Sequence, residues 1–133
     1  MLQHAGTPVL VVEDDGHALS GYLEFLETAG FAVHGMDDAR EALPAALRQP
    51  PSAVVTDITL PGMSGFELAA ALRADMRTCN VPIIGLTAHW TPEVRARAVE
   101  VGMRAILLKP CTPSHLVAEL ERVLARRDAA PAV

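Results

Sequence analysis

A chain of 133 residues, 50% of them apolar and 20% charged, is long enough for one domain with a substantial core. Its net charge of −5 argues against a nucleic-acid-binding domain, because contact with phosphates requires a basic surface. The two cysteines are too few for a disulfide scaffold, and neither a secretory signal nor an apolar stretch of membrane-spanning length is visible. These properties predict one cytoplasmic domain that neither inserts into a membrane nor binds nucleic acid directly.

The charges are unevenly distributed along the chain. Residues 1–67 hold ten acidic and two basic residues, whereas residues 68–133 hold six acidic and nine basic ones. Two explanations fit this pattern equally well. One is chance placement of solvated charges, and the other is an acidic pocket in the first part of the chain with a partner-binding face in the second. The order of the predicted elements shows where such a pocket would lie.

The first predicted element is a strand over Thr7–Val12, an apolar and β-branched run typical of a parallel strand buried on both faces. Residues 17–29 follow with leucines at helical spacing, and Gly30 is a typical stop for that helix. Phe31–Met36 is a second short strand. The chain therefore begins with a strand–helix–strand unit.

The second helix and the third strand come next. Asp37 or Asp38 can cap the helix, and Pro44 within it should weaken or kink it. Ser52–Thr56 reads as the third strand, and Ser64–Met76 as the helix that follows. The alternation of strand and helix thus continues through the middle of the chain.

The last two units repeat the pattern with clear capping signals. Strands are predicted at Val81–Leu86 and Arg104–Leu108, and the helices after them open at Thr91-Pro92-Glu93 and Thr112-Pro113. Five strand–helix units with short links predict a parallel sheet covered by helices on both faces. In such sheets the binding site lies beyond the carboxyl ends of the strands.

Polar residues stand at the carboxyl ends of four of these strands. They are Glu13-Asp14-Asp15, Asp57, Thr87 and Lys109. An acidic run alone is more often a helix cap, and an aspartate before a turn more often stabilises that turn. Their joint placement at one edge favours a site.

The donor set at this edge indicates a particular chemistry. Several carboxylates close together repel one another unless a cation lies among them, and an all-oxygen set favours Mg²⁺ over Zn²⁺. A carboxylate beside Mg²⁺, faced by an ammonium and a hydroxyl, is a plausible acceptor for a phosphoryl group. The strand would carry Asp57 to the edge, and the turn after it would expose the carboxylate.

Four stretches in this order resemble the receiver domain of bacterial two-component response regulators, in the single-domain form of chemotaxis regulators. They are VLVVED at 9–14, DITLPGMSG at 57–65, VPIIGLTA at 81–88 and VGMRAILLKP at 101–110. The resemblance implies a flavodoxin-like (βα)5 doubly wound α/β fold with strand order 2-1-3-4-5. It covers residues 7–127, leaving tails at 1–6 and 128–133.

The resemblance also implies a role for each site residue. Asp57 would accept a phosphoryl group from a phosphohistidine on a sensor histidine kinase or a histidine phosphotransfer protein. Thr87 and Lys109 would bind the phosphoryl group, and the Lys109–Pro110 bond would be cis. The ligands of Mg²⁺ would be Asp14, Glu13 mainly through water, Asp57, and Thr59 through its backbone carbonyl.

Ile106 and His89 set this chain apart within the resemblance, and Thr59 shares a role with His89. Ile106 stands where the family usually has the aromatic residue that moves together with the threonine. His89 and Thr59 stand at variable positions that can tune the lifetime of the phosphoryl group. We expect the loop that carries His89 and Trp90, rather than Ile106, to signal the change.

The predicted function is a phosphorylation-controlled switch with at most weak Mg²⁺-dependent self-phosphorylation and self-dephosphorylation, not an enzyme. Because the sequence leaves no room for an output domain after residue 127, we expect the signal to pass by protein contact. The fourth helix, fifth strand and fifth helix form the expected surface, which could also support a homodimer. Its arginines are Arg95, Arg97, Arg104, Arg122 and Arg126.

Three alternatives remain. A haloacid-dehalogenase-type phosphohydrolase would carry a second aspartate two residues after the first, whereas residues 57–61 read DITLP. A flavodoxin-like cofactor carrier would need a hydroxyl- and glycine-rich loop after the first strand, where EDDG would repel a phosphate. The receiver segment of a hybrid histidine kinase would share every feature above.

Overall fold

The computed structural model describes the backbone of residues 5–128 and the side chains of residues 5–126. Strands and helices alternate strictly along this part of the chain. The strands are β1 (Pro8–Val12), β2 (Ala32–Met36), β3 (Ala53–Asp57), β4 (Ile83–Thr87) and β5 (Ala105–Leu108). The helices are α1 (Gly16–Thr28), α2 (Ala39–Arg48), α3 (Gly65–Ala74), α4 (Pro92–Glu100) and α5 (Pro113–Asp128).

The five strands form one parallel sheet in the order β2-β1-β3-β4-β5. The register places Val9 of β1 opposite Val33 of β2 on one side and Ala53 of β3 on the other. This order confirms the predicted flavodoxin-like doubly wound fold. Because the order reverses at β1, the ends of β1 and β3 face the crevice in which such sheets bind ligands.

Alternate residues of the strands build two cores, one on each face of the sheet. One core joins the strands to α1 and α5, with Val9, Val11, Leu86, Leu26, Leu116 and Leu120 among its buried members. The other joins them to α2 and α3, with Leu10, Val12, Ile83, Ala42, Leu68 and Leu72. The period of two along each strand therefore covers the sheet on both sides.

Local capping explains where the helices begin. Asp38, not Asp37, caps α2, and that helix continues through Pro44 to Arg48. Ser64 and Glu67 form a reciprocal capping box at the start of α3. Thr91 caps α4 with Pro92 in the first turn, as its sequence predicts.

Two predicted boundaries are wrong by two residues, and the other predicted strand ends lie within one residue of the observed ones. Helix α3 ends at Ala74 rather than Met76, because Asp75 and Arg77 form a turn. The Asp75 carboxylate accepts hydrogen bonds from the backbone N–H of Arg77, at 2.8 Å, and from the guanidinium of Arg77. Strand β4 begins at Ile83 rather than Val81, since Pro82 has no N–H to donate. Neither change moves a site residue.

The predicted tails, 1–6 and 128–133, lie largely outside the described residues. Within residues 5–128, no helix combines the length and apolarity needed to span a bilayer.

Candidate functional site: an acidic pocket at the carboxyl edge of the sheet

The centre of the edge is formed by the residues at the ends of β1 and β3. Glu13 directly follows β1, its backbone N–H donates to the Met36 carbonyl at 3.0 Å, and its side chain is 1% exposed. Asp57 is the last residue of β3, and its side chain is 10% exposed. A reagent can therefore reach Asp57, whereas Glu13 is enclosed behind it.

The loop after β3 turns sharply enough to leave the Asp57 carboxylate at the mouth of the pocket. The Gly65 N–H donates to the Ile58 carbonyl at 2.9 Å, so the loop closes back onto the end of the strand. A Cβ at Gly65 would collide with the Asp57 carbonyl oxygen. Gly62 adopts a φ of +80°, which L side chains rarely tolerate. The PGMSG sequence thus serves the close turn that exposes Asp57.

Lys109 brings a positive charge to this pocket from the end of β5. Its Nζ donates to Glu13 Oε1 at 2.7 Å and to Asp57 Oδ2 at 3.3 Å. Its backbone N–H donates to the Thr87 carbonyl at 2.7 Å, and the Lys109–Pro110 bond is cis. Lys109 is separated in sequence from Glu13 by 96 positions and from Asp57 by 52, yet all three side chains meet in one ion-pair network.

Three carboxylates could hold a cation here. Oxygen atoms of Glu13, Asp14 and Asp57 all lie within 4.8 Å of one another. Asp15 instead caps α1, accepting the His17 N–H at 3.0 Å, so the acidic run divides into two pocket residues and one cap. An oxygen-only cluster with more negative charge than the Lys109 ammonium offsets is the donor chemistry of a hard divalent ion, and the residues fit Mg²⁺.

Burial and neighbouring charge make ionisation of Asp57 unfavourable in this pocket. Burial, together with the nearby charge of Glu13, raises the pKa of Asp57 to about 6, and Lys109 offsets only part of this. Burial alone would lower the pKa of Lys109, but the hydrogen bond to Glu13 and the charge of Asp57 raise it. The pocket therefore stabilises an added positive charge and penalises an unpaired carboxylate.

Thr87 lies at the end of β4 with its hydroxyl already engaged. Its Oγ1 donates to the His89 carbonyl at 2.9 Å and accepts the His89 N–H at 3.1 Å. His89 and the next residue, Trp90, are exposed, with Trp90 52% exposed. The hydroxyl and the loop backbone are therefore linked directly.

Ile106 is half-buried on β5 opposite Gly85 of β4. Its Cδ1 lies 3.2 Å from the position that a Cβ on Gly85 would occupy, and Met103 fills the same space. Thr59, in contrast, is exposed in the loop after β3. The structure thus brings Glu13, Asp14 and Asp57 together with Lys109. Ile106 lies beside Gly85 of β4 instead.

One neighbour of the pocket escaped the sequence analysis. Tyr22 of α1 is 6% exposed, and its hydroxyl donates to the Cys111 carbonyl at 3.3 Å, just beyond Lys109. The partners are 89 positions apart, so no local pattern predicts the contact. The only signal is a polar-tipped side chain at a helix position that faces the core.

The predicted partner surface carries exposed apolar side chains as well as arginines. Val99 of α4 is 73% exposed and Leu108 of β5 is 55% exposed. The Arg97 guanidinium is already engaged, because it lies 6.0 Å from the centroid of the Phe66 ring of α3 and forms an ion pair with Glu100. The exposed arginines that remain are Arg95, Arg104, Arg122 and Arg126.

Comparison with known proteins agrees with this architecture. Residues 9–121 match the response regulator receiver domain family. The phosphate regulon transcriptional regulatory protein PhoB of Pseudomonas aeruginosa is 34% identical over 121 residues, 91% of this chain and 53% of that protein. The transcriptional regulatory protein PrrA of Mycobacterium tuberculosis is 36% identical over 119 residues, 90% of this chain and 50% of that protein. The chain thus spans about half the length of these curated relatives.

Solved structures extend the likeness to three dimensions. The chemotaxis protein CheY4 of Vibrio cholerae superposes with a TM-score of 0.85 at 33% identity, covering 90% of this chain and 99% of that one. The receiver domain of the sensor histidine kinase PA1611 from Pseudomonas aeruginosa superposes with a TM-score of 0.78 at 33% identity, covering 92% and 97%. That structure holds a magnesium ion in its active site cleft. The present chain belongs to the response regulator receiver domain family, whose members are phosphorylation-activated signalling switches of two-component systems.

Proposed function

We propose that this domain accepts a phosphoryl group on Asp57 from a phosphohistidine of a sensor histidine kinase or a histidine phosphotransfer protein. The observation that carries the proposal is the position of the Asp57 carboxylate. It is 10% exposed, lies 3.3 Å from the Lys109 ammonium, and shares an acidic cluster with Glu13 and Asp14. A partly enclosed carboxylate with a fixed cation beside it is suited to attack an incoming phosphoryl group.

Mg²⁺ would be held by Asp14, by Asp57, by Glu13 mainly through water, and by the Thr59 carbonyl. Bound Mg²⁺ supplies positive charge that offsets the charge of these carboxylates and of the phosphoryl oxygens. The burial of Glu13 and the raised pKa of Asp57 support the assignment, because both carboxylates gain from an added cation.

The transfer itself needs only one bond exchange. An Asp57 carboxylate oxygen attacks phosphorus, the P–O bond forms, and the P–N bond of the phosphohistidine breaks. The imidazole, protonated on its other ring nitrogen, leaves with the bonding electrons as a neutral group. The Lys109 ammonium, now bound to Glu13 and Asp57, donates to a phosphoryl oxygen. The product is an aspartyl phosphate that Lys109 continues to stabilise.

The signal would follow from the hydroxyl of Thr87. To bind a phosphoryl oxygen, Oγ1 must leave the His89 carbonyl to which it donates at 2.9 Å. The backbone of His89 loses its partner at the same time, so the loop that includes Trp90 rearranges. Ile106 lies beside Gly85 of β4, and its small, β-branched side chain displaces less surface on a rotamer change than an aromatic ring would. We assign the readout to residues 88–92 and the tuning of lifetime to Thr59 and His89.

The changed loop borders the surface formed by α4, β5 and α5, which we propose as the contact for a downstream protein and, as a second use, for a homodimer. The exposed Trp90, Val99 and Leu108 offer apolar area there, and the arginines add positive charge. The domain thus acts as a switch rather than as an enzyme with its own substrate. A haloacid-dehalogenase-type phosphohydrolase is not favoured.

Incubation with acetyl phosphate and Mg²⁺, followed by intact mass spectrometry, tests the proposal. The protein should gain one phosphoryl group, and chelation of Mg²⁺ should prevent the gain. Asp57→Asn should gain none, whereas the matched variant Asp15→Asn, at an exposed helix cap, should be labelled like wild type. Full labelling of Asp57→Asn would refute the assignment.

A further inference from the structure

The chain segment that follows Lys109 is held by a buried tyrosine. The Tyr22 hydroxyl donates to the Cys111 carbonyl at 3.3 Å, and both residues belong to the core between the sheet, α1 and α5. Tyr22 is 6% exposed and Cys111 is 8% exposed, so water cannot easily replace either partner. This buried hydroxyl–carbonyl contact connects α1 to the loop that follows β5.

The same segment has two further attachments. The backbone N–H of Lys109 donates to the Thr87 carbonyl at 2.7 Å, and the ammonium donates to Glu13 at 2.7 Å. Lys109 therefore has β4 on one side and the Tyr22 anchor two residues later on the other. The lysine side chain has a flexible four-carbon stem. The position of its ammonium therefore depends on how firmly the backbone is held at Lys109 and at Cys111.

Tyr22 is also electrostatically close to the pocket. Burial is the main cause that raises the pKa of its hydroxyl, and the charges of Cys111, Lys109, Glu13 and Asp57 act on it as well. A phenylalanine would fill nearly the same core volume without binding the carbonyl. The hydroxyl is thus the part of this side chain that packing alone does not require.

We propose that Tyr22 is a positioning residue for phosphoryl transfer, which acts by anchoring the Cys111 carbonyl and so holding the Lys109 ammonium against Asp57. This inference rests on the proposed role of Asp57 as acceptor. Its hydroxyl bonds to the Cys111 carbonyl, so in this role Tyr22 acts through Lys109 rather than on the phosphoryl group itself. It links α1 to the reactive edge of the sheet from inside the core.

The test compares Tyr22→Phe with a matched control elsewhere in the fold. Thr78 is 1% exposed, and its hydroxyl donates to the Leu72 carbonyl at 2.7 Å at the far end of α3. Thr78→Val therefore also removes one buried hydroxyl–carbonyl bond while keeping the shape of the side chain. Both variants should lose similar stability, so a difference between them in phosphorylation reports position rather than folding.

The expected results separate the two variants. Tyr22→Phe should take up phosphoryl from acetyl phosphate several-fold more slowly than wild type, whereas Thr78→Val should match wild type within about twofold. In the metal-free protein, the Lys109 amide should exchange its hydrogen faster in Tyr22→Phe and at an unchanged rate in Thr78→Val. In a Lys109→Gln background, adding Tyr22→Phe should have no further effect on uptake, because the group it positions is gone.

Equal phosphoryl uptake by Tyr22→Phe and wild type would overturn the positioning role. So would a double variant in which Tyr22→Phe slows uptake as much in the Lys109→Gln background as it does in wild type. Failure of wild type itself to take up phosphoryl would instead refute the acceptor site. Amide exchange at Lys109 tests the anchor in either case, because protection unaltered by Tyr22→Phe would show that the hydroxyl does not hold the segment.

Discussion

Asp57→Asn should stabilise the metal-free domain, and the gain should increase with pH. The Asp57 side chain is 10% exposed, and burial together with the Glu13 charge raises its pKa from 3.8 to about 6. Ionising this carboxyl group therefore costs the folded protein free energy. An amide removes that cost while keeping the size of the side chain and its contact with Lys109. The residue that we propose as the phosphoryl acceptor thus lowers stability in the absence of cations.

The magnitude follows from the two pKa values. Because the folded pKa lies above that of the unfolded chain, the proton stabilises the folded state, and this stability is complete below the unfolded pKa and lost as the pH rises through about 6. A rise from 3.8 to about 6 corresponds to about 3 kcal/mol in total. Between about pH 5 and about pH 8, the difference between variant and wild type should grow by about 1 to 2 kcal/mol.

Urea unfolding with a chelator present, at several pH values across this window, measures the difference. Asp75→Asn is the control, because hydrogen bonds from Arg77 lower the pKa of Asp75 to about 2, so its effect should be flat over the same window. Saturating Mg²⁺ should reduce the advantage of Asp57→Asn by stabilising wild type. A pH-independent difference, or one that falls as the pH rises, would refute the reasoning.

Three further predictions address the loop, the readout and the surface. Gly65→Ala should destabilise the protein by about 1–3 kcal/mol and slow labelling of Asp57, because the new Cβ meets the Asp57 carbonyl. A free energy of unfolding and a labelling rate that both match wild type would contradict this. Addition of a beryllofluoride phosphoryl mimic should shift the amide resonances of residues 88–92 strongly while the χ1 of Ile106 stays the same, and a rotamer change at Ile106 with a static loop would exclude our account of the switch. Charge reversal of Arg104 should weaken partner binding or dimerisation at low salt more than at high salt, as measured by ultracentrifugation or titration calorimetry.

The fold was largely predictable because its signals are local and repeated. Each strand is a short apolar run, and caps such as Thr91 and Ser64 begin helices where the sequence indicates. The strand order came from the family resemblance rather than from periodicity. The wrong boundaries, at Met76 and Val81, arise where a side-chain turn and a proline override apolar patterning.

The site was predictable in composition but not in its connections. Parallel strands bring their carboxyl ends to one edge, so Asp57 and Lys109 could be placed at the same edge from the sequence, but their contact could not. The division of the acidic run, in which Asp14 joins the cluster and Asp15 caps α1, depends on the backbone turn after β1. The Tyr22–Cys111 bond depends on how α1 packs against the start of α5, which no spacing in the sequence encodes.

Chemical mapping of the phosphorylated residue tests the central claim most directly. After labelling with acetyl phosphate and Mg²⁺, borohydride reduction converts an aspartyl phosphate to homoserine, and peptide mass spectrometry locates the modified position. Homoserine is expected at Asp57 alone, with Glu13, Asp14 and Asp15 unmodified. Modification at any of these neighbours, with Asp57 intact, would contradict the claim.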